Sequence, residues 1–140
     1  MSSASAVPDS AALAPSRISS VILLLRLEGF AVAVVTAALY AHTGASWWLF
    51  ATLWLAPDLS MLGYLVSPCA GARIYNAYHN YLPPALLALA ALLLNTHNLL
   101  LPVALIWANH IGIDRALGYG LKYGEGFGVT HLGWLGKRNT

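Results

Sequence analysis

The chain has 140 residues, seven Lys or Arg against five Asp or Glu, a formal net charge of +2 and 59% hydrophobic residues. Its charged fraction is 9%, where a soluble domain carries roughly 25%, which excludes a disordered chain, a nucleic-acid arm and an ordinary water-soluble domain of this size. Too few polar side chains remain to cover a globule, so a lipid bilayer must cover part of it, in keeping with a mean hydropathy of +0.66.

Residues 1–16 are Ser, Ala and Pro with one Asp9 and no apolar period, which predicts a disordered tail. Four apolar segments follow, at about 20–42, 47–66, 72–95 and 99–118. Each is close to the ~20 residues that cross a bilayer core as a helix. A signal peptide is the competing and less favoured reading of the first, because Arg26 and Glu28 interrupt it and it is too long. Ala and Leu dominate without period-two alternation, which argues against strands. The connections at 43–46, 67–71 and 96–98 are short, so neighbouring helices run antiparallel. The expectation is all-α: a polytopic membrane four-helix bundle, up-down-up-down, over 17–118, with a Gly-rich interfacial tail over 119–140.

Lys and Arg set the orientation. Arg17, Arg73, Lys122, Lys137 and Arg138 fall on one side, and the opposite turns hold only His42, Thr43, Asn95, Thr96, His97 and Asn98. Both termini are therefore expected in the cytoplasm, with the protein multi-pass in the membrane. Trp47 and Trp48 suit the far interface; Tyr119, Tyr123, Phe127 and Trp134 suit the near one. Small residues recur every fourth position at Gly29, Ala33, Ala37 and Ala41, and again at Ala104, Ala108, Gly112, Ala116 and Gly120. Such ladders let helices approach closely in lipid. The glycines after 118 fit neither a phosphate loop nor a dinucleotide fingerprint.

The informative residues are the ionisable ones inside the spans, which are costly in hydrocarbon and face the bundle interior. At about 1.5 Å of rise per residue, Glu28, Asp58 and His110 lie ~12 Å deep, His79 ~10 Å and Asp114 ~6 Å. Every helix thus presents an acid or an imidazole at one level in the cytoplasmic half. His110 and Asp114 share a face at i,i+4, as do Tyr75 and His79. Pro83 and Pro84 remove the donors for the carbonyls of His79 and Asn80, and Pro57 removes that for Leu53. Arg26 points to another face than Glu28 and is expected to snorkel to headgroups. Arg115 either snorkels too or pairs with an acid.

Four chemistries suit Glu28, Asp58, His79, His110 and Asp114. One is a divalent metal site, for which carboxylate and imidazole favour Zn, Mn or Fe. A second is a proton or ion relay, which needs a homo-oligomer in so small a chain. A third is metal-free acid–base catalysis. The fourth is a structural hydrogen-bonded network. Tyr64, Tyr75 and Asn76 are supporting candidates. His42 and His97 fit interfacial packing, and a fold-back of His131 onto the site is a minority reading. Cys69, the single cysteine, excludes a disulfide framework and has no flanking mark of a catalytic thiol.

Several stretches carry a resemblance: Leu27-Glu28-Gly29, residues 56–64 around Pro57-Asp58, and Tyr75-Asn76-Ala77-Tyr78-His79. So do residues 110–123, from His110 through Asp114-Arg115 to Lys122-Tyr123, with Gly126-Phe127 and Thr130-His131-Leu132-Gly133. The chain resembles domain-of-unknown-function family 4260, small bacterial integral membrane proteins, over about 25–136. The resemblance implies a four-helix membrane protein and no established activity.

Overall fold

A computed structural model describes residues 15–135, with side chains from Ser20 onward. The expected disordered tail lies outside the described residues apart from Pro15 and Ser16, which open helix α1 (Pro15–Thr43). Then come α2 (Trp47–Leu53), a 3-10 helix (Ala56–Leu65), α3 (Pro68–Tyr78), α4 (Leu82–Leu93) and α5 (Leu100–Leu117). A two-residue hairpin closes the order, β1 (Val129–Thr130) pairing antiparallel with β2 (Gly133–Trp134). The protein is mostly helical, and the sequence segments correspond to α1, to α2 with the 3-10 helix, to α3 with α4, and to α5.

Two of the expected continuous helices are broken, and proline explains both breaks. Pro57 sits at the first turn of the 3-10 helix, which follows α2 after Trp54 and Leu55. Pro is tolerated in a first turn and not in a helix interior. Pro83 and Pro84 likewise start α4, and α3 ends at Tyr78. Asn80 closes this second break from both directions: its Nδ2 donates to the Asn76 and Ala77 carbonyls at 2.8 and 3.0 Å, and its Oδ1 accepts from Leu82 N–H at 2.9 Å. The expected turn at 67–71 shrinks because Pro68 already begins α3, capped by Ser67 Oγ accepting from Ala70 N–H at 3.1 Å.

The 3-10 helix is ten residues long, well beyond the usual three or four. Side chains eclipse every third residue, so three rows result. Pro57, Ser60 and Gly63 form the buried row. Leu59, Leu62 and Leu65 form an outer row, 67%, 61% and 84% exposed. Asp58, Met61 and Tyr64 make the half-buried third row.

Helix α5 is the central post, packed by α1, α4 and α2. A Cβ on Gly112 would lie 2.7 Å from Gly29 O and 2.9 Å from Ala33 N, so α1 and α5 touch backbone to backbone. Arg26 corrects its expected snorkelling. Its Nε and Nη2 donate to the Ala116 and Leu117 carbonyls, both at 2.9 Å, and satisfy the open C-terminus of α5. Gly118 ends that helix in the left-handed region at φ 97°. Above the site, Asn109 ties three elements together. It accepts from Trp54 Nε1 at 3.0 Å and donates to Ala33 O at 2.7 Å and to Thr36 Oγ1 at 3.2 Å.

Large apolar side chains lie exposed along the outer surface of every segment, among them Leu24, Leu55, Leu89 and Leu117. Helix α1 is long and apolar enough to cross a membrane, over Ser20–Thr43. The other segments are shortened by the proline breaks or, in α5, carry His110, Asp114 and Arg115.

Candidate metal centre

The two breaks and the central helix bring four of the five predicted residues together. Asp58 comes from the start of the 3-10 helix, His79 from the end of α3, and His110 and Asp114 from successive turns of α5. One donor atom from each lies within 4.8 Å of all the others. His79 Nε2 stands 3.4 Å from Asp58 Oδ1 and 3.5 Å from Asp114 Oδ2. His110 Nε2 stands 3.4 and 3.7 Å from the same two oxygens. The two Nε2 atoms are 3.2 Å apart. Both imidazoles are buried, and the carboxylates are partly open, 29% exposed at Asp58 and 16% at Asp114.

Each ring is aimed by neighbours. The His79 ring stacks on Tyr75, centroids 3.7 Å apart and planes 9° from parallel. Its Nδ1 lies 3.1 Å from Tyr75 O and 3.4 Å from Ser60 Oγ; a carbonyl only accepts hydrogen bonds, which favours the tautomer with its hydrogen on Nδ1 and the Nε2 lone pair toward the cluster. Tyr75 also donates from its hydroxyl to Asp114 Oδ2 at 3.1 Å. The His110 ring packs edge-on against Trp54, the indole that Asn109 holds. His110 Nδ1 has no hydrogen-bond partner among the described residues. The carbonyl of His79, deprived of its helical donor by Pro83, accepts from Arg115 Nη2 at 3.4 Å.

Glu28 corrects the predicted set. It is exposed on α1 beside Tyr81 and Arg115 rather than among the four. Counting residues along the helix left its direction around the axis open. Gly29, the next residue, occupies the α5-facing side, and successive residues of a helix point about 100° apart.

A cavity of about 330 Å³ opens from the carboxylates toward the tail, lined by Asp58, Met61, Tyr75, Asp114, Tyr119, Lys122 and Phe127. Lys122, which sequence reasoning used only for orientation, is 3% exposed. Asn76 holds its backbone in a two-way clasp: Nδ2 donates to Lys122 O at 2.8 Å and Oδ1 accepts from Lys122 N–H at 2.7 Å. Burial pushes the Lys122 ammonium below its usual pKa, and the carboxylates of Asp114 and Asp58 pull it back up. Asn76 therefore serves the site by placing the tail. Tyr64 does not reach the cluster; its ring packs against Gly71 and Phe127.

His131 folds back against α5 without joining the cluster. Its Nδ1 accepts from Leu121 N–H at 2.8 Å, and its Nε2 lies 3.0 Å from Arg115 Nη1. Burial, and then the Arg115 guanidinium, push its pKa below the usual histidine value. Below about pH 6.5 a released His131 binds more protons than a docked one, so its contribution to docking weakens as pH falls and does not change above that. Hydrogen exchange over 119–135, corrected for intrinsic rate, is expected to be faster at pH 5.5 than at pH 7.5 in the wild type. The difference should vanish in His131→Gln. Equal protection at both pH values in the wild type would contradict this.

The chain matches the sequence model described as Domain of unknown function (DUF4260) over residues 22–135. It belongs to that family. The match spans all four cluster residues as well as Asn76, Lys122 and His131. No curated protein and no solved structure shows significant similarity to the chain.

Proposed function

We propose that this DUF4260 protein is a multi-pass membrane metalloprotein with one divalent transition-metal ion held by Asp58, His79, His110 and Asp114. The observation that carries the reading is the shape of the donor set. Four ligands about 2.1 Å from a tetrahedral zinc ion are separated by about 3.4 Å. The nitrogen–nitrogen and nitrogen–oxygen separations here run from 3.2 to 3.7 Å. Hydrogen bonds alone do not account for such convergence, because two imidazole Nε2 atoms and two carboxylates supply more acceptors than protons. The hydrogen on His79 Nδ1 supports the same reading, since a ligating histidine commonly fixes its other nitrogen on a carbonyl or carboxylate. Two imidazoles with two carboxylates suit Zn, Fe or Mn, and two carboxylates neutralise a divalent charge. An ion there would act as a Lewis acid toward a group entering from the cleft, with the partly open carboxylate side leaving room for a further ligand.

The outward rows of leucine support four crossings, two of them by broken helices. Broken helices occur at membrane depth where freed backbone groups are satisfied inside the protein or line a cavity. Trp47 and Trp48, 56% and 82% exposed, mark one interface; Tyr123 and Trp134, 51% and 57% exposed, mark the other. With the Lys and Arg bias, these positions support a reading in which the metal and its cleft lie on the cytoplasmic side of a bacterial inner membrane.

The test is elemental analysis of protein purified in detergent without a His tag. About one equivalent of zinc, iron or manganese per chain is expected, removable by chelator and restored by that metal. Folded protein that neither retains nor takes up any of them would leave the four residues as a hydrogen-bonded network.

A further inference from the structure

The cleft above the four ligands contains a cation that the metal does not need. Lys122 Nζ donates to Phe127 O at 3.1 Å and rests over the rings of Phe127 and Tyr75, 3.7 and 4.6 Å from their centroids. An ammonium has three donors, and beyond Phe127 O the described residues offer this one ring faces rather than a hydrogen-bonding oxygen. Burying a charged chain end whose donors lack acceptors is costly. The protein nevertheless fixes this residue firmly through the Asn76 clasp and keeps it 3% exposed.

Charge explains what it awaits. Two carboxylates and one ammonium leave a metal-free site at −1, and a divalent ion raises it to +1. A buried net positive charge calls for an anion, and the cleft has room for one between the ion and the ammonium. Its remaining walls, Met61, Tyr75, Tyr119 and Phe127, are apolar or aromatic, so a bound oxyanion would find few competing acceptors beyond the ligating carboxylates themselves.

We propose that a small oxyanion, a carboxylate or a phosphate group, binds in this cleft between the metal and Lys122 Nζ. This rests on the metal reading above and names the ligand class of that site. The same chemistry is offered by a soluble phosphate and by the headgroup of an anionic lipid, and the experiment separates the two.

The protein in detergent is loaded with Co²⁺, whose visible absorption reports coordination, and titrated with inorganic phosphate. In parallel it is titrated with phosphatidic acid in mixed micelles, against phosphatidylcholine as the control. A saturable change of the cobalt bands is expected with one of the two anions and none with phosphatidylcholine. A response to phosphate identifies a soluble source; a response confined to phosphatidic acid identifies a lipid. Lys122→Met should keep one cobalt per chain and weaken the anion at least tenfold, and Lys122→Arg should recover most of that loss. A measurement on the wild type alone supplements the variants: the responding anion should raise the unfolding temperature of the cobalt-loaded protein and not of the metal-free protein. Cobalt bound at one per chain with bands indifferent to both anions overturns the oxyanion and leaves the metal centre standing. So does a Lys122→Met protein that binds the anion as tightly as the wild type. Failure to bind cobalt at all overturns both.

Discussion

Asp58→Asn and His110→Ala are expected to lower bound metal from about one ion per chain to below about a tenth, while Glu28→Gln keeps the full complement. All three residues are ionisable and lie eight positions from an end of the apolar segments read at 20–42, 47–66 and 99–118. What separates them is direction. Asp58 Oδ1 and His110 Nε2 stand 3.4 Å apart within the cluster, and Glu28 is exposed beside Arg115 and Tyr81. In the proposed centre, losing one of four ligands would remove a bond to the ion itself, so the effect should exceed the tenfold to hundredfold typical of a supporting hydrogen bond. Tyr75→Phe gives that smaller effect, because it deletes only the hydroxyl bond to Asp114 at 3.1 Å and keeps the ring that stacks on His79. Elemental analysis of untagged protein gives the stoichiometries, and competition with a chromogenic chelator gives the affinities. Metal lost equally from Glu28→Gln would mean that the ion sits elsewhere, nearer α1. Unchanged content in Asp58→Asn would remove the 3-10 helix from the site.

The contrast shows what a sequence carries about such a centre. Counting residues at a fixed rise gives a level along each segment and no direction around it. Azimuth was legible where two ligands share a helix, as His110 and Asp114 do at i,i+4. Between helices it depends on which face packs inward, and for α1 the signal was present in Gly29 and its ladder. Gly29 faces α5 directly, so its neighbour Glu28 must point aside. The prolines were readable as freed carbonyls but not as full breaks, because an isolated Pro in an apolar run can either kink a helix or end it. The three-residue repeat of Leu59, Leu62 and Leu65 would have marked the 3-10 helix, since these residues alternate with a buried row and a cleft row. Lys122 was hidden for a different reason. A lysine in a glycine-rich tail reads as a surface charge, and only the docking of that tail through Asn76 turns it into the wall of a cavity. Asn109 was likewise invisible, since one amide in an apolar helix does not disclose that Trp54, Ala33 and Thr36 will all meet it.

The largest loss of stability is expected from Gly29→Leu, although α1 supplies no ligand. Where helices meet in lipid, association comes from close packing and hydrogen bonds rather than from excluding water, so a contact between backbones is hard to replace. A Cβ at Gly29 would meet Arg115 Cβ, and would lie 2.9 Å from Gly112 O and 3.0 Å from Ala116 N. Two of these three are backbone atoms of the central helix and cannot rotate away. The helices must separate, and with them go the Arg26 bonds to Ala116 O and Leu117 O and the Asn109 bond to Ala33 O. Overpacking alone costs about 1–3 kcal/mol, and the lost hydrogen bonds add roughly 1 kcal/mol each, so a total above about 3 kcal/mol is expected. Gly29→Ala, whose single methyl makes the same backbone contacts with less bulk, should fall below that. Thermal unfolding in one detergent ranks the two variants against the wild type. Metal affinity separates this effect from damage to the centre. The four cluster residues lie on the 3-10 helix, just after α3 and on α5, so Gly29→Ala should bind metal as the wild type does at temperatures where it remains folded. A Gly29→Leu protein as stable as the wild type would show that α1 does not pack against Gly112, and the backbone contact at the heart of the bundle would have to be abandoned.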